Sequence, residues 1–419
     1  MLSNPKPFIL LSMKVSILSI GNELLSGKTM NTNANWLGNR LTKIGCRVDK
    51  QVVVPDEEKP IINALNFLVN HKEGCIIVTG GLGPTDDDIT REVLFKYVKT
   101  ESKFDLDYWN TLSKKFKNLG IDIPESNRGQ ALVPQNGDVI DNSIGSARGF
   151  KFKINSMVIF SLPGVPSEMK AMTNATIIPW LKDRVSMAFF SQTIRTTGIP
   201  ESKLIELISS PVKTEHDCEI GYYPSLFGVD IRISSNKIKY IQSLQDQITT
   251  MLGKAVFALG DDSIEEIVVN KALENDISLS IAESCTGGLI GHRITQISGS
   301  SKIFKGSAVV YSNSSKVNLL DVDENCITKH GAVSEETAKE MAQKVRQMFS
   351  SKLGLSITGI AGPDGGSKEK PIGLTFIGLS TKNETKVRKF QFGSIRKSNK
   401  ARASQAALNW MRLEISNVW

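Results

Sequence analysis

The apolar positions of this chain follow two rhythms, and the rhythm changes along its length. Lys14-Val-Ser-Ile-Leu-Ser-Ile20, Cys75-Ile-Ile-Val-Thr79 and Met157-Val-Ile-Phe-Ser-Leu162 are short apolar or alternating runs, which predict strands. Residues 33–42 and 88–97 space their apolar side chains three and four apart, which predicts helices, the first ending near Gly45. Strands alternating with helices predict a three-layer α/β domain over residues 13–175. The segment 176–258 reads differently. It has strand patterns at 193–198 and 229–233, a helix opened by Pro200-Glu201, and a second helix over 240–252 stopped by Gly253. That pattern predicts a small α+β module, a spacer or a dimerisation unit. From 259 to 419 the α/β rhythm returns. Ser263-Ile-Glu-Glu266 is a capping box, and a strand over 277–282 runs into a helix carrying Leu289, Ile290, Ile294 and Ile297. Further strands are predicted at 307–311, 355–358 and 372–379. The fold class is α/β: two three-layer α/β domains joined by a small α+β module. Residues 1–12 read as disordered or as a mis-called start, with order beginning near Met13.

Composition narrows the class. The 419 residues are 40% hydrophobic and 22% charged, as in soluble globular proteins. No run reaches the ~18–20 apolar residues of a membrane helix. The opening segment has neither the long apolar core nor the cleavage site of a signal peptide. Five cysteines, at 46, 75, 218, 285 and 326, are scattered without C-x-x-C spacing, against both a disulfide framework and a zinc site. A cytoplasmic location fits these features. The formal charge of +8 suits nucleic acid or anionic small substrates. The densest basic runs, Lys114-Lys-Phe-Lys117 and residues 386–402, read as solvated faces. Of four histidines, at 71, 216, 292 and 330, no two form a metal-type cluster.

Two stretches carry candidate chemistry. Ala282-Glu-Ser-Cys-Thr-Gly-Gly288 puts a serine and a glycine pair where a strand enters a helix. Such a junction presents backbone N–H groups and the positive end of the helix dipole, suited to phosphate or a developing oxyanion. Ser284 is therefore a candidate nucleophile, or simply a helix cap. Its base is not an obvious histidine, since His292 lies two helical turns further on. A lysine serves if burial lowers its pKa, and Lys316 with Tyr311 follows a strand close by. Ser301, in Gly299-Ser-Ser301, is a rival nucleophile. The second stretch, Thr79-Gly-Gly-Leu-Gly-Pro-Thr-Asp-Asp-Asp-Ile-Thr-Arg91, combines glycines with three carboxylates at a predicted helix start. A hard cation or a nucleotide would account for all three carboxylates, and helix capping for one. Glu23 belongs to the same rim. So does Leu162-Pro-Gly-Val-Pro-Ser-Glu-Met169, unless that turn is only a proline-stiffened loop.

These motifs, with Gly21-Asn-Glu-Leu-Leu-Ser-Gly27, Asn31-Thr-Asn33, Tyr311-Ser-Asn313 and Thr358-Gly-Ile-Ala-Gly-Pro-Asp-Gly-Gly366, resemble those of the CinA (competence/damage-inducible) family, in order along nearly the whole chain. The resemblance implies an N-terminal domain similar to molybdopterin-binding proteins. It implies a C-terminal amidase converting nicotinamide mononucleotide to nicotinate mononucleotide and ammonia, with no cofactor. In the N-terminal domain it implies a metal-dependent ADP-ribose pyrophosphatase, or else a non-catalytic pterin- or nucleotide-binding sensor. Carried onto this chain, the amidase nucleophile is Ser284 or Ser301, with Lys316 as base and Tyr311 assisting. Glu283, Thr286, Gly287, Gly288, Thr358, Gly359 and Arg396 would meet the substrate. Gly21, Glu23, Asn33, Thr79, Gly80, Gly81, Gly83, Thr85, Pro163, Gly164, Ser167 and Glu168 would bind ADP-ribose. Asp87 and Asp88 would hold a divalent metal ion, Asp86 occupying a variable position. A homodimer is implied, with neither nucleic acid nor membrane as partner; the middle module lacks the G-x-x-G clamp of nucleic-acid-binding relatives. Ser26, and an insertion Ser394-Ile395 before Arg396, depart from the family pattern.

Overall fold

The computed structural model describes residues 14–69, 74–184, 190–214 and 217–415, without the side chains of Arg47, Lys213 and Thr214. His71, His216 and the reading of residues 1–12 lie outside the described residues. Two compact units part between Ser191 and Gln192.

The first unit is built on β1 (Lys14–Ile20), β2 (Arg47–Val54), β3 (Gly74–Thr79), β4 (Ser102–Phe104), β5 (Leu132–Pro134), β6 (Asp138–Ile140), β7 (Gly149–Ile154) and β8 (Met157–Leu162). Strands β4 and β5 make a separate ribbon, and the other six form one sheet in the order β2-β1-β3-β8-β7-β6. The first four run parallel, and β7 and β6 are antiparallel additions. Every residue of β3 is buried, as a parallel strand covered on both faces requires. Ile76 and Val78 pack with Ile61 and Leu65 of the helix Glu58–Val69, while Cys75 and Ile77 pack with Leu37 and Leu41 of Thr32–Lys43. Alternate side chains thus feed two cores, which makes three layers.

Two sheets form the second unit. Strands β9 (Phe190–Thr196), β10 (Glu219–Pro224), β11 (Val229–Ser235) and β12 (Val256–Leu259) make a four-stranded sheet, order β10-β11-β9-β12. Its core joins Ile194, Ile231 and Ile233 to Leu204 of the helix Glu201–Thr214 and Leu244 of Ile238–Leu252. Strands β13 (Leu279–Glu283), β14 (Phe304–Val309), β15 (Leu353–Gly359), β16 (Leu374–Ser380) and β17 (Thr385–Gln391) make the last sheet, order β14-β13-β15-β16-β17. Leu279 and Ile281 face the helices Ile264–Glu274 and Arg396–Ile415, and Ala282 faces Met341 and Val345 of Glu335–Met348. The capping box is present: Glu266 N–H donates to Ser263 Oγ at 3.3 Å, and Ser263 N–H to Glu266 Oε2 at 2.6 Å.

The placement of β1 and β13 matters most. Each has its next strand in sequence on one side and a later parallel strand on the other. Connections therefore leave in opposite directions and open a crevice at the carboxyl ends, where α/β proteins bind ligands. Gly21 follows β1, and Ser284 follows β13. Two expectations shift. The helix predicted from residue 88 starts at Thr90, whose N–H donates to Gly81 O at 3.1 Å, so Asp86, Asp87 and Asp88 stay in the loop. The strand predicted over 307–311 ends at Val309, which leaves Tyr311 beyond it.

Candidate active site

Backbone bonds to both neighbours clamp the end of β13. Ser284 N–H donates to Ile357 O at 3.0 Å, and Val310 N–H to Glu283 O at 2.8 Å. The turn that follows closes through Gly287 N–H to Ser284 O at 3.1 Å. Gly287 and Gly288 both have positive φ, +60° and +89°, a conformation costly for any residue with a Cβ. The sequence therefore needs its glycine pair to return the chain sharply into the helix Leu289–Thr295.

Ser284 is only 7% exposed and Lys316 1% exposed. Lys316 Nζ lies 3.1 Å from Ser284 Oγ. Backbone carbonyls hold that amine in place, Val310 O at 3.0 Å, Tyr311 O at 3.4 Å and Ser312 O at 3.5 Å. The short helix Asn313–Asn318, started by the Ser312–Ser315 capping box, carries Lys316 back over the strand end. Burial pushes the Lys316 pKa below the ordinary lysine value, because desolvation penalises the ammonium form. A buried amine of lowered pKa within hydrogen-bond reach of a hydroxyl has the geometry that a serine nucleophile and its base require.

The other expected residues divide. Tyr311 is exposed, and its hydroxyl accepts from Arg396 Nη2 at 2.6 Å rather than turning to Lys316. Arg396 also donates to Gly362 O at 2.9 Å, so it stands at the rim of this site. Ser301 is exposed on the short turn Ser300–Lys302 and makes no side-chain hydrogen bond among the described residues. Glu283 is fully buried, with its side chain bonded within the fold. Its carboxylate accepts from Ile290 N–H at 3.1 Å, Gly291 N–H at 2.8 Å and Ser307 Oγ at 3.3 Å. Two of the helix-start amides, those of Ile290 and Gly291, are thus occupied from within the fold. Thr358 donates to Ala332 O at 2.7 Å, and Gly359 packs against Thr375 of β16; both build the wall. Thr286 is fully buried, and its Oγ1 has no partner among the described residues. Lys400 escaped the sequence reading. It lies against Gly287 one helical turn beyond Arg396, and only the packing of that helix reveals it.

In the first unit a cavity of about 510 Å³ opens at the ends of β1, β3 and β8. Gly21, Glu23, Asn33, Thr79, Gly80, Gly81, Gly83, Asp87, Asp88, Pro163, Gly164 and Glu168 line it. Thr85 and Ser167 do not. Thr85 gives its N–H and hydroxyl to Asp88 Oδ2, and Ser167 is exposed. Asn33 donates to Gly164 O at 2.7 Å, and Glu168 accepts from Asn142 at 2.5 Å. Asp56, on the loop after β2, also lines the cavity but was missed, since only the sheet order brings it beside β1. Its pKa is raised chiefly by burial, with like charge from Glu23, Asp87 and Asp88 adding to it. Arg91 is buried and ties the glycine loop through Leu82 O and Gly83 O. Among the described residues no three His, Cys, Asp or Glu side chains gather closely enough to hold a metal ion by themselves. No helix among them is long and apolar enough to cross a membrane.

Comparison with known proteins agrees with this organisation. Residues 16–183 match the family "probable molybdopterin binding domain", 191–258 the "damage-inducible protein CinA KH domain" and 261–415 the "CinA C-terminal domain". A putative competence-damage inducible protein of Clostridium novyi is 35% identical over 96% of this chain and 99% of its own length. A CinA-like protein of Kosmotoga olearia is 36% identical over 96% of this chain and 98% of its own. A solved competence/damage inducible protein of Agrobacterium tumefaciens is 33% identical, covering 38% of this chain and 99% of its own at a TM-score of 0.36. With three domain matches in sequence order and relatives similar from end to end, the chain belongs to the CinA family.

Proposed function

We propose that the last domain hydrolyses the carboxamide of nicotinamide mononucleotide to the carboxylate and ammonia, with Ser284 as nucleophile and Lys316 as base. One observation carries the reading: the desolvated amine 3.1 Å from a hydroxyl at a glycine turn. Neutral Lys316 takes the Ser284 proton as Oγ bonds to the carboxamide carbon. The backbone of the turn steadies the oxyanion of the tetrahedral intermediate. Lys316 then returns the proton to the leaving nitrogen, and ammonia departs. Water, deprotonated by the same amine, attacks the acyl carbon; the amine gives that proton to Ser284 Oγ as the acyl bond breaks, which releases the acid and restores the neutral base. Ammonia release from nicotinamide mononucleotide by wild type and by Ser284→Ala tests this. Undiminished release from the variant would end the proposal.

For the first domain we propose ADP-ribose pyrophosphatase activity. Magnesium is commonly held by one or two carboxylates together with substrate phosphates. Asp87 and Asp88 fit a cation of that kind, arriving with the pyrophosphate and neutralising its charge. Among the described residues no third side-chain ligand joins them, which favours the second reading, a domain that binds the nucleotide without turnover. AMP release from ADP-ribose with and without Mg²⁺ separates the two, because calorimetric binding without AMP identifies the sensor.

A further inference from the structure

The cavity at the ends of β1, β3 and β8 has one wall that does not belong to the sheet. Residues 102–134 form the separate β4–β5 ribbon, the helix Leu106–Asn118 and the 3₁₀ helix Glu125–Ala131, which brings Gln130 to the cavity. Leu112 is the only buried residue of the longer helix, so apolar packing holds this segment weakly. Polar ties take its place. Asp105 N–H donates to Ala131 O at 2.8 Å, and the Asp105 carboxylate accepts from Tyr108 N–H at 2.9 Å and from Arg148 Nη1 at 2.8 Å. The Arg148 guanidinium also lies 3.7 Å from the centre of the Tyr108 ring, and the Tyr108 hydroxyl donates to Ser146 O at 2.7 Å. One clasp thus joins Gln130 and Ala131 to residues 146–148, two stretches that meet the cavity through Gln130, Ser146 and Ala147.

Arg148 is 6% exposed, and its Nε and Nη2 have no partner among the described residues. Burying such donors costs stability rather than adding it. What the residue supplies is geometry: a planar fork on a carboxylate, stacked on a ring, fixes two elements at one angle. Gln130 is the group that this geometry aims. Asn127 Nδ2 donates to Gln130 Oε1 at 3.0 Å, while Gln130 Nε2 makes no hydrogen bond among the described residues. A buried side chain thus keeps a free donor at the cavity wall. The rest of the lining carries five carboxylates, those of Glu23, Asp56, Asp87, Asp88 and Glu168, and no cationic side chain. A pyrophosphate needs added cations to approach those carboxylates, whereas Gln130 offers a hydrogen bond to an uncharged hydroxyl or ring nitrogen.

We propose that Arg148 is a positioning residue of this cavity, clasping Asp105 and Tyr108 so that Gln130 meets the nucleoside end of a bound nucleotide. The class of ligand rests on the nucleotide reading of the first domain, whereas the clasp does not. Arg148→Met, Tyr108→Phe and Gln130→Ala in the full chain test it, by hydrogen exchange without ligand and by calorimetry with Mg²⁺ and AMP, which carries the nucleoside but no pyrophosphate to cleave. Met keeps the volume of the stem and removes the buried donors, so Arg148→Met is expected to melt within about 3 °C of wild type. Amides of 105–118 and 125–131 are expected to exchange about tenfold faster in that variant, and those of β1, β3 and β8 at the wild-type rate. AMP affinity is expected to fall about fivefold in Arg148→Met and in Gln130→Ala, and about threefold in Tyr108→Phe. The double variant Arg148→Met/Gln130→Ala is expected to lose no more than either single one. Losses that multiply in the double variant leave Arg148 a structural role alone and overturn the positioning. Wild-type exchange in both Arg148→Met and Tyr108→Phe overturns the clasp, and wild-type affinity in Gln130→Ala overturns the ligand contact. Clasp-dependent exchange in a protein that binds neither AMP nor ADP-ribose leaves the clasp standing and removes the nucleotide reading.

Discussion

Replacing Lys316 by Met separates chemistry from folding. Met fills the volume of the lysine stem without its charge, and volume-conserving swaps in packed sites cost little. The wild-type amine is buried, and its pKa lies below the ordinary value. The folded protein therefore sheds this proton at lower pH than the unfolded chain does. The associated penalty on folding is absent above the ordinary lysine pKa, about 10.4, and grows as pH falls toward the depressed one. At neutral pH the variant gains by losing that penalty, while Val310 O loses a 3.0 Å donor at a cost of about 1–3 kcal/mol. The two act in opposite directions and the swap keeps the packed volume, so Lys316→Met should fold. Its turnover should fall by about 10²–10⁴, the usual contribution of a positioned base, equivalent to about 2.7–5.5 kcal/mol in the barrier. Ammonia release from nicotinamide mononucleotide, measured beside a thermal melt, reads both quantities. In wild type, kcat/KM should rise with pH as the amine neutralises, and level off below the ordinary lysine range. A folded variant that retains a tenth of wild-type turnover, or a wild-type rate flat across that interval, would refute the base assignment.

Other outcomes follow from the same geometry. Ser301→Ala should retain turnover within about twofold, since the hydroxyl is exposed and unbonded and surface changes of this kind cost little; a loss like that of Ser284→Ala would move the nucleophile. Glu283→Ala strips a fully buried carboxylate from two helix-start amides and Ser307, and urea unfolding should show about 3 kcal/mol lost or more. Gly80→Ala places a Cβ 2.2 Å from Ile20 O at a φ of +104°. It should unfold the first domain or lower its melting temperature by about 10 °C or more, and a wild-type melt would contradict the packing described.

Much of the fold was legible because local rules and tertiary packing agree. The glycine turns after β1, β3 and β13, the Ser263 capping box and the buried β3 run state their conformation in residue type alone. The helix Arg396–Ile415 was read only as part of a basic run, since its charged first turns mask the buried Ala403, Ala407, Leu408 and Met411 behind them. The edge strand β17, with Lys386, Arg388 and Lys389, was masked in the same way; exposed edges carry such charges to discourage pairing with other chains.

Residue type and spacing along the chain thus determined which turns were glycine-bound, where strands gave way to helices, and that a serine, a lysine and paired aspartates were present to act. Tertiary structure decided which of them meet. Strand order set Asp56 beside Glu23, carried Lys316 over Ser284 rather than Ser301, and spent the carboxylate of Glu283 on its own helix. The reason is that turn chemistry and periodicity act over a few residues. The distance between two side chains far apart in sequence, and the water left around each, depend on which strands lie side by side.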